Sequence, residues 1–248
     1  MLTFDWNIRQ KRLLAVAFYV SSLIIVLLYC LGFKAPRVVL TNVLWETFVG
    51  FEPPAGNWSP LRLDETPSGR SFLGPFEPET VRLEIEDLPS HESIQISFDL
   101  LIIDSWDGNS DTEGPDRFKV VVDYKDIVFY ASFLSSGPES TDKQSYPRTF
   151  GDAECPGQTG AIEVNSLGYI WRDSPQDSVY RITRSFAHTG STILFQFVSP
   201  GTGPNVDDES WGIDNFSLTT STGEAVEAEL AWLVPASDGQ PACVSSSG

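Results

Sequence analysis

From about residue 80 onward the chain alternates apolar and polar residues one by one. Val81, Leu83 and Ile85 interleave with Arg82, Glu84 and Glu86, and Ile94, Ile96, Phe98, Leu100 and Ile102 interleave with Ser93, Gln95, Ser97 and Asp99. Phe118, Val120 and Val122 repeat the pattern, as do Ile193, Phe195 and Phe197, and then Phe216 and Leu218. A period of two puts the apolar set on one face of a strand. The 19 glycines and 17 prolines, with Asp and Ser clusters, punctuate these runs as turns. The pattern predicts an all-β domain over residues 43–234. At this size, many short two-faced strands build a two-sheet antiparallel β-sandwich, here a jelly roll.

One stretch breaks the alternation. Leu13 to Phe33 carries no charge and follows Arg9, Lys11 and Arg12. At ~1.5 Å per residue a helix of that length reaches roughly 30 Å, the thickness of a hydrocarbon core. The run predicts one transmembrane α-helix at 13–33, after an N-terminal tail at 1–12 and before a linker at 34–42. A removable signal is the alternative, but its apolar part is usually ~7–15 residues and ends at a small-x-small site. Lys34-Ala35-Pro36-Arg37 offers no such site, and Tyr29 before Cys30 argues against a lipoprotein signal. The reading is a signal anchor that meets the lipid bilayer through 13–33. The flanking cations favour a cytoplasmic N-terminus and a periplasmic or extracellular domain. Residues 235–248 read as a flexible polar tail.

Charge narrows the partners. The chain has 34 acidic and 16 basic side chains. All the acids but Asp5 lie beyond the span, whereas five bases (Arg9, Lys11, Arg12, Lys34 and Arg37) precede Val38. The soluble part is therefore strongly anionic. Phosphate backbones need a basic surface, so nucleic acid is excluded as a partner. Divalent cations and basic partners suit such a field. Cys155 and Cys243 are the pair outside the apolar run, and they either bridge or remain two thiols. Three cysteines and two histidines do not make the usual zinc patterns.

Oxygen ligands cluster in two places. Asp104, Asp107, Asn109 and Asp111 lie together at the end of a predicted strand, with Glu113 and Asp116 just beyond. Glu209 and Asp214 bracket Ser-Trp211-Gly-Ile. A hard cation such as calcium takes six to eight oxygens, so short-spaced Asp and Asn on a Gly-bearing loop can hold one. Asp104 shares parity with Ile102 and Phe98, and Asp214 shares parity with Phe216 and Leu218. Both are expected to face inward, where a carboxylate needs a counter-charge. The prediction is one structural calcium between them, held by Asp104, Asp107, Asn109, Asp111, Glu209 and Asp214. The alternative is ordinary turn-capping and solvated loops. Trp106, Trp171 and Trp211 are candidate ligand or partner contacts, and Ser135–Thr159 is a candidate contact loop. His91 and His188 read as turn residues.

Several segments carry a resemblance. Thr66-Pro-Ser-Gly-Arg70, Leu88-Pro-Ser-His91, Ser97-Phe98-Asp99-Leu100-Leu-Ile-Ile-Asp104-Ser-Trp106-Asp107-Gly108-Asn109, Gly114-Pro-Asp116, Tyr180-Arg181, Phe186-Ala-His188 and Glu209-Ser-Trp211-Gly212-Ile213-Asp214-Asn215 follow one another in an order similar to an uncharacterised group of extracytoplasmic jelly-roll modules. The group is similar in turn to laminin-G, MAM and carbohydrate-binding sandwiches. The resemblance covers about residues 45–220. It implies a non-catalytic module with a structural calcium near the last strand, at Asp214 with Glu209 and Asp104 beside it.

No nucleophile elbow, phosphate loop or HExxH motif is present. The expectation is therefore not an enzyme but a membrane-anchored, calcium-stabilised sandwich that contacts a protein or a glycan. Two alternatives stand beside it. One is an accessory subunit of a larger, for instance energy-transducing, membrane complex. The other is a carbohydrate-active enzyme using Glu209 with Asp104 or Asp107.

Overall fold

A computed structural model describes residues 38–49, 54–200, 208–222 and 243–245. The predicted span at 13–33, with its tail, lies outside the described residues. Among the described residues no helix is long and apolar enough to cross a membrane.

The described chain is all strand and turn. In order, the strands are β1 (Leu40–Glu46), β2 (Asn57–Ser59), β3 (Leu63–Glu65), β4 (Ser71–Phe76), β5 (Thr80–Ile85), β6 (Ser93–Asp104), β7 (Arg117–Val122) and β8 (Asp126–Ser132). Then come β9 (Ala153–Glu154), β10 (Glu163–Val164), β11 (Ile170–Trp171), β12 (Ser174–Pro175), β13 (Asp177–Ala187), β14 (Ile193–Val198), β15 (Glu209–Ser221) and β16 (Val244–Ser245). One sheet runs β10-β13-β6-β15-β4-β3, with β1 also on β15, and the other runs β2-β5-β14-β7-β8. All these pairs are antiparallel.

The two sheets face each other across an aromatic core. Phe98 on β6 meets Phe197 on β14 edge-on at 5.6 Å, Trp211 on β15 meets Phe118 on β7 at 5.0 Å, and Trp58 on β2 meets Phe216 on β15 at 5.3 Å. The architecture is a β-sandwich. Its core takes the even positions of β6 and the odd positions of β5 and β14, as alternation requires. A smaller apolar cluster of Phe72, Leu101, Ile103, Leu167 and Val179 covers part of the outer face of the larger sheet.

Alternation fails at one place that matters for the site. β15 pairs Asp214 with Asp99 and then Ser217 with Ser97, so Asn215 and Phe216 together oppose Phe98. This is a β-bulge, with Asn215 in the left-handed region at φ 49°. Before it Trp211 and Ile213 point into the core, and after it Phe216 and Leu218 do. The extra residue reverses the parity, so Asp214 stands on the outer face beside Asp99.

Two expected termini differ. β1 starts at Leu40, inside the segment expected as a linker, and pairs Leu40 with Ser221. Residues 243–245, within the expected tail, are fixed: Cys155 and Cys243 form a disulfide, and β16 pairs with β9. Composition reads as loose where a distant strand and a cross-link supply the order.

The loop after β8 is organised by one buried side chain. Gln144 Oε1 accepts from Leu134 N at 3.1 Å, Gln158 N at 2.9 Å and Tyr180 Oη at 3.3 Å. Its Nε2 donates to the carbonyls of Tyr146 and Thr159, both at 3.0 Å. Gln144→Leu keeps the volume and leaves these groups unpaired. The expected loss is about 3 kcal/mol of unfolding free energy, read from the denaturant midpoint.

Candidate metal centre and adjoining concavity

The predicted ligands separate into three groups. Asp104 lies opposite Glu209 in the β6–β15 ladder, whereas Asp214 lies opposite Asp99, five residues along. At ~3.3 Å per residue that is roughly 17 Å, too far for one ion. Asp104 and Asp214 therefore do not share a site.

Asp214 has a different partner altogether. Arg70 Nε donates to Asp214 Oδ2 at 2.8 Å, Nη2 to Asp99 Oδ2 at 2.7 Å and Nη1 to Glu163 Oε1 at 3.2 Å. Arg181 donates twice to Asp99, at 2.8 and 3.0 Å, and Asn215 Nδ2 donates to it at 2.7 Å. Burial raises the Asp99 carboxyl, but Arg181, Asn215 and Arg70 outweigh it and hold it below the ordinary aspartate range. For Asp214, burial wins over Arg70, and the carboxyl lies above that range. This outer-face layer is a structural ion network. Arg70 sits 144 residues from Asp214, so nothing local in the sequence announces it.

Asn109 and Asp111 also leave the expected set. Asn109 Oδ1 accepts from Ser132 Oγ, and its backbone N donates to Lys143 O at 2.6 Å. Asp111 is exposed on the loop. Asp104 is buried at the strand end with φ 65°, and its N donates to Gln176 O at 2.9 Å.

Asp107 and Glu209 do come together, with Asp116 as the third member. One carboxylate oxygen from each lies within 4.8 Å of the others. The loop makes this possible. Gly108 has φ 66°, and a Cβ there would stand 2.3 Å from Lys143 O, so only glycine fits. Asp116 N donates to Gly108 O at 2.9 Å, Asp116 Oδ2 accepts from Asp107 N, and Asp116 O accepts from Phe133 N at 3.1 Å. Asp116 was legible by parity: it precedes β7 in step with Phe118, Val120 and Val122, all of which face the core.

The electrostatics are unfavourable as they stand. Asp116 is fully buried, and its Oδ1 has no hydrogen-bond partner. Burial, then repulsion from Glu209 and Asp107, pushes its carboxyl up to about 8 against the help of the Asp107 amide. Burial, with Asp142, Glu113 and Asp208 around it, pushes Asp107 up to about 6. Three converging carboxylates and a bare buried oxygen suit a hard divalent cation, which would favour the ionised forms.

Asp107 also borders an open concavity of about 250 Å³, lined by Ser105, Ser135, Trp171, Arg172 and Gln176 among others. Trp171, half-buried on the β11–β12 hairpin, lies under the Arg172 guanidinium at 5.5 Å. Gln176 Oε1 is buried without a hydrogen-bond partner. The other two candidate tryptophans are 0 % exposed. Trp106 Nε1 donates to Ser210 O at 2.9 Å and Trp211 Nε1 to Glu77 O at 3.0 Å, so both are core residues that cannot meet a ligand. Of the contact loop, Ser135 and Ser136 reach the concavity.

Fold and site together define an all-β sandwich with an acidic loop centre at one end. No protein-family profile matches the chain, and no curated protein matches it. Solved structures resemble it at low identity. The C-terminal CBM6 of LamC, a marine laminarinase from Zobellia galactanivorans, is 11% identical with a TM-score of 0.32, over 74% of this chain and 99% of that one. The carbohydrate recognition domain of Emp47p is 14% identical with a TM-score of 0.36, over 75% and 98%. The catalytic domain of Agl-KA is 11% identical with a TM-score of 0.35, over 84% of this chain and 34% of that one. Such distant likenesses leave function to be argued from the site.

A pH slope follows from Asp116. Its folded value of about 8 lies above the ordinary aspartate value near ~3.9, so between those values the folded state binds more protons than the unfolded one. Metal-free protein is expected to lose stability as pH rises through that window. In Asp116→Asn, which carries no titrating group there, the slope should flatten. Melting temperature in EDTA, measured across the window, checks both.

Proposed function

We propose that this protein is a non-catalytic jelly-roll sandwich that binds calcium at Asp107, Asp116 and Glu209 and contacts a glycan through the adjoining concavity. The observation that carries it is the fully buried Asp116 carboxylate, whose Oδ1 lacks a partner while Asp107 and Glu209 converge on it. Three carboxylates can bring up to six oxygens, close to what calcium takes. Binding would turn a mutually repelling cluster into a cross-link between the β6–β7 loop and the start of β15. Asp107 would then be fixed at the edge of the concavity. There Trp171 offers an aromatic face, and Arg172, Gln176 and Ser105 offer polar groups, the usual composition of a sugar site.

The same burial argues against a glycosidase. A catalytic acid must reach the scissile bond. Asp116 is 0 % exposed and Glu209 is 6 % exposed, so neither can touch a polysaccharide. Asp107 alone reaches the open side.

The reading extends to place. Residues 13–33 would hold the domain on the outer side of a membrane. β1 begins at the end of the sandwich where β15 finishes, at Leu40 opposite Ser221, whereas Glu209 and Asp107 lie at the other end.

Two measurements test this. Calcium at ~100 times its dissociation constant should add about 2.7 kcal/mol, which for a domain of this size raises the melting temperature by roughly 5–10 °C. Asp116→Asn should stay folded and lose that response, whereas a wild-type melting point indifferent to calcium and EDTA ends the metal reading. On a glycan array, Trp171→Ala should lose at least tenfold in affinity, about 1.4 kcal/mol, with its melting point unchanged. Equal binding by wild type and variant would remove the concavity from the proposal.

A further inference from the structure

At one end of the sandwich His91 Nε2 meets His188 Nδ1 at 2.8 Å and His91 Nδ1 meets Pro89 O at 2.5 Å, so that pair is satisfied within the fold. The acidic end is not satisfied in this way. Calcium takes six to eight oxygens. Both oxygens of Asp107, Asp116 and Glu209 would only just reach six, and Asp116 Oδ2 is already held by the Asp107 amide. Among the described residues the carboxylate group has no fourth member. The loop's own carbonyls are engaged as well. Trp106 O accepts from Ser135 N at 2.9 Å, Asp107 O from Ser110 N at 3.2 Å and Gly108 O from Asp116 N at 2.9 Å. Asn109 Oδ1 accepts from Ser132 Oγ. An ion held there is left with positions that the chain does not fill.

Those positions open in one direction. Asp116 is 0 % exposed and Glu209 6 % exposed, so the core side is shut. Asp107 is half-buried and lines the concavity with Ser105, Ser135, Trp171, Arg172 and Gln176. Whatever completes the shell enters from there, and charge selects it. Asp142, Glu113 and Asp208 surround Asp107 with negative charge, against Arg172 alone. A carboxylate, sulfate or phosphate would add to that repulsion. A hydroxyl adds no charge, gives its oxygen to the cation and gives its hydrogen to an acceptor such as the Asp107 carboxylate. Two hydroxyls on adjacent carbons hold better than one, because the second binds as part of the same molecule.

We infer, on the basis of the calcium reading, that a neutral sugar binds by placing two adjacent hydroxyl oxygens directly on the ion from the concavity side, with Trp171 against its ring. Glycan and calcium then occupy one site rather than two. Each raises the affinity of the other by the same factor, expected at about fivefold or more. An ion that merely stiffened the loop would have a closed shell and never meet the sugar.

Terbium in place of calcium reads this directly in the full-length protein. Its luminescence is excited through a neighbouring indole such as Trp106, and its decay in light against heavy water counts the waters bound to it. Mannose, galactose and glucose are the neutral probes, with glucuronate as the charged control. The bound ion should carry about two waters or more, and a neutral sugar should displace about two of them. Glucuronate at the same concentration should displace fewer. Trp171→Ala should keep the ion and its waters and need at least ~10 times more sugar for the same displacement.

A terbium ion without bound water overturns direct ligation and leaves the calcium reading standing. So does a water count that none of the three neutral sugars changes, or one that glucuronate lowers further than they do. Protein that takes up neither terbium nor calcium ends the calcium reading and direct ligation together. Should Trp171→Ala fail to fold, the water counts on wild type decide.

Discussion

A carboxylate stripped of water needs a counter-charge, donors, a proton or a metal, and the buried aspartates of this domain divide among those solutions. Asp99 and Asp214 take guanidinium groups from Arg70 and Arg181. Asp177, fully buried at the start of β13, takes the backbone N–H groups of Ser166, Leu167 and Tyr169. Asp116 has one amide and two neighbouring acids, and its carboxyl stays unbalanced. The loop centre is a consequence of that imbalance rather than of acidic composition in general, since most of the described acids are exposed.

The long central strand β6 spreads the chemistry along the molecule. Its last residues support the acidic loop, its middle carries Asp99, and its first residue pairs with Ser221 and Ala187 near the histidines. Each zone is closed by residues from distant parts of the chain. The three systems therefore stand on one backbone ladder, at its two ends and its middle.

The sandwich was legible because alternation over β5, β6, β7 and β14 is strict and each apolar parity became core. The acidic loop was legible as a cluster, and the fold brings Asp107 and Glu209 of the expected set near one another. Asp214 was misread because one extra residue at Asn215 reverses the faces of β15, and a bulge leaves little trace in hydropathy. Trp106 and Trp211 sit among polar loop residues in sequence, yet their indole nitrogens find backbone carbonyls inside the core. Arg70, Gln144 and the histidine pair depend on partners dozens of residues away. Local pattern names such residues without revealing whom they meet.

β1 enters the larger sheet beside the end of β15, where Val39 N donates to Thr222 Oγ1 at 3.0 Å and Thr222 N to Val39 O at 3.2 Å. The first and last strands of the main sheet thus open side by side. The chain runs on from there to β16, where the Cys155–Cys243 disulfide fastens it to β9, so a cut anywhere between residues 222 and 243 would leave the severed strand covalently attached.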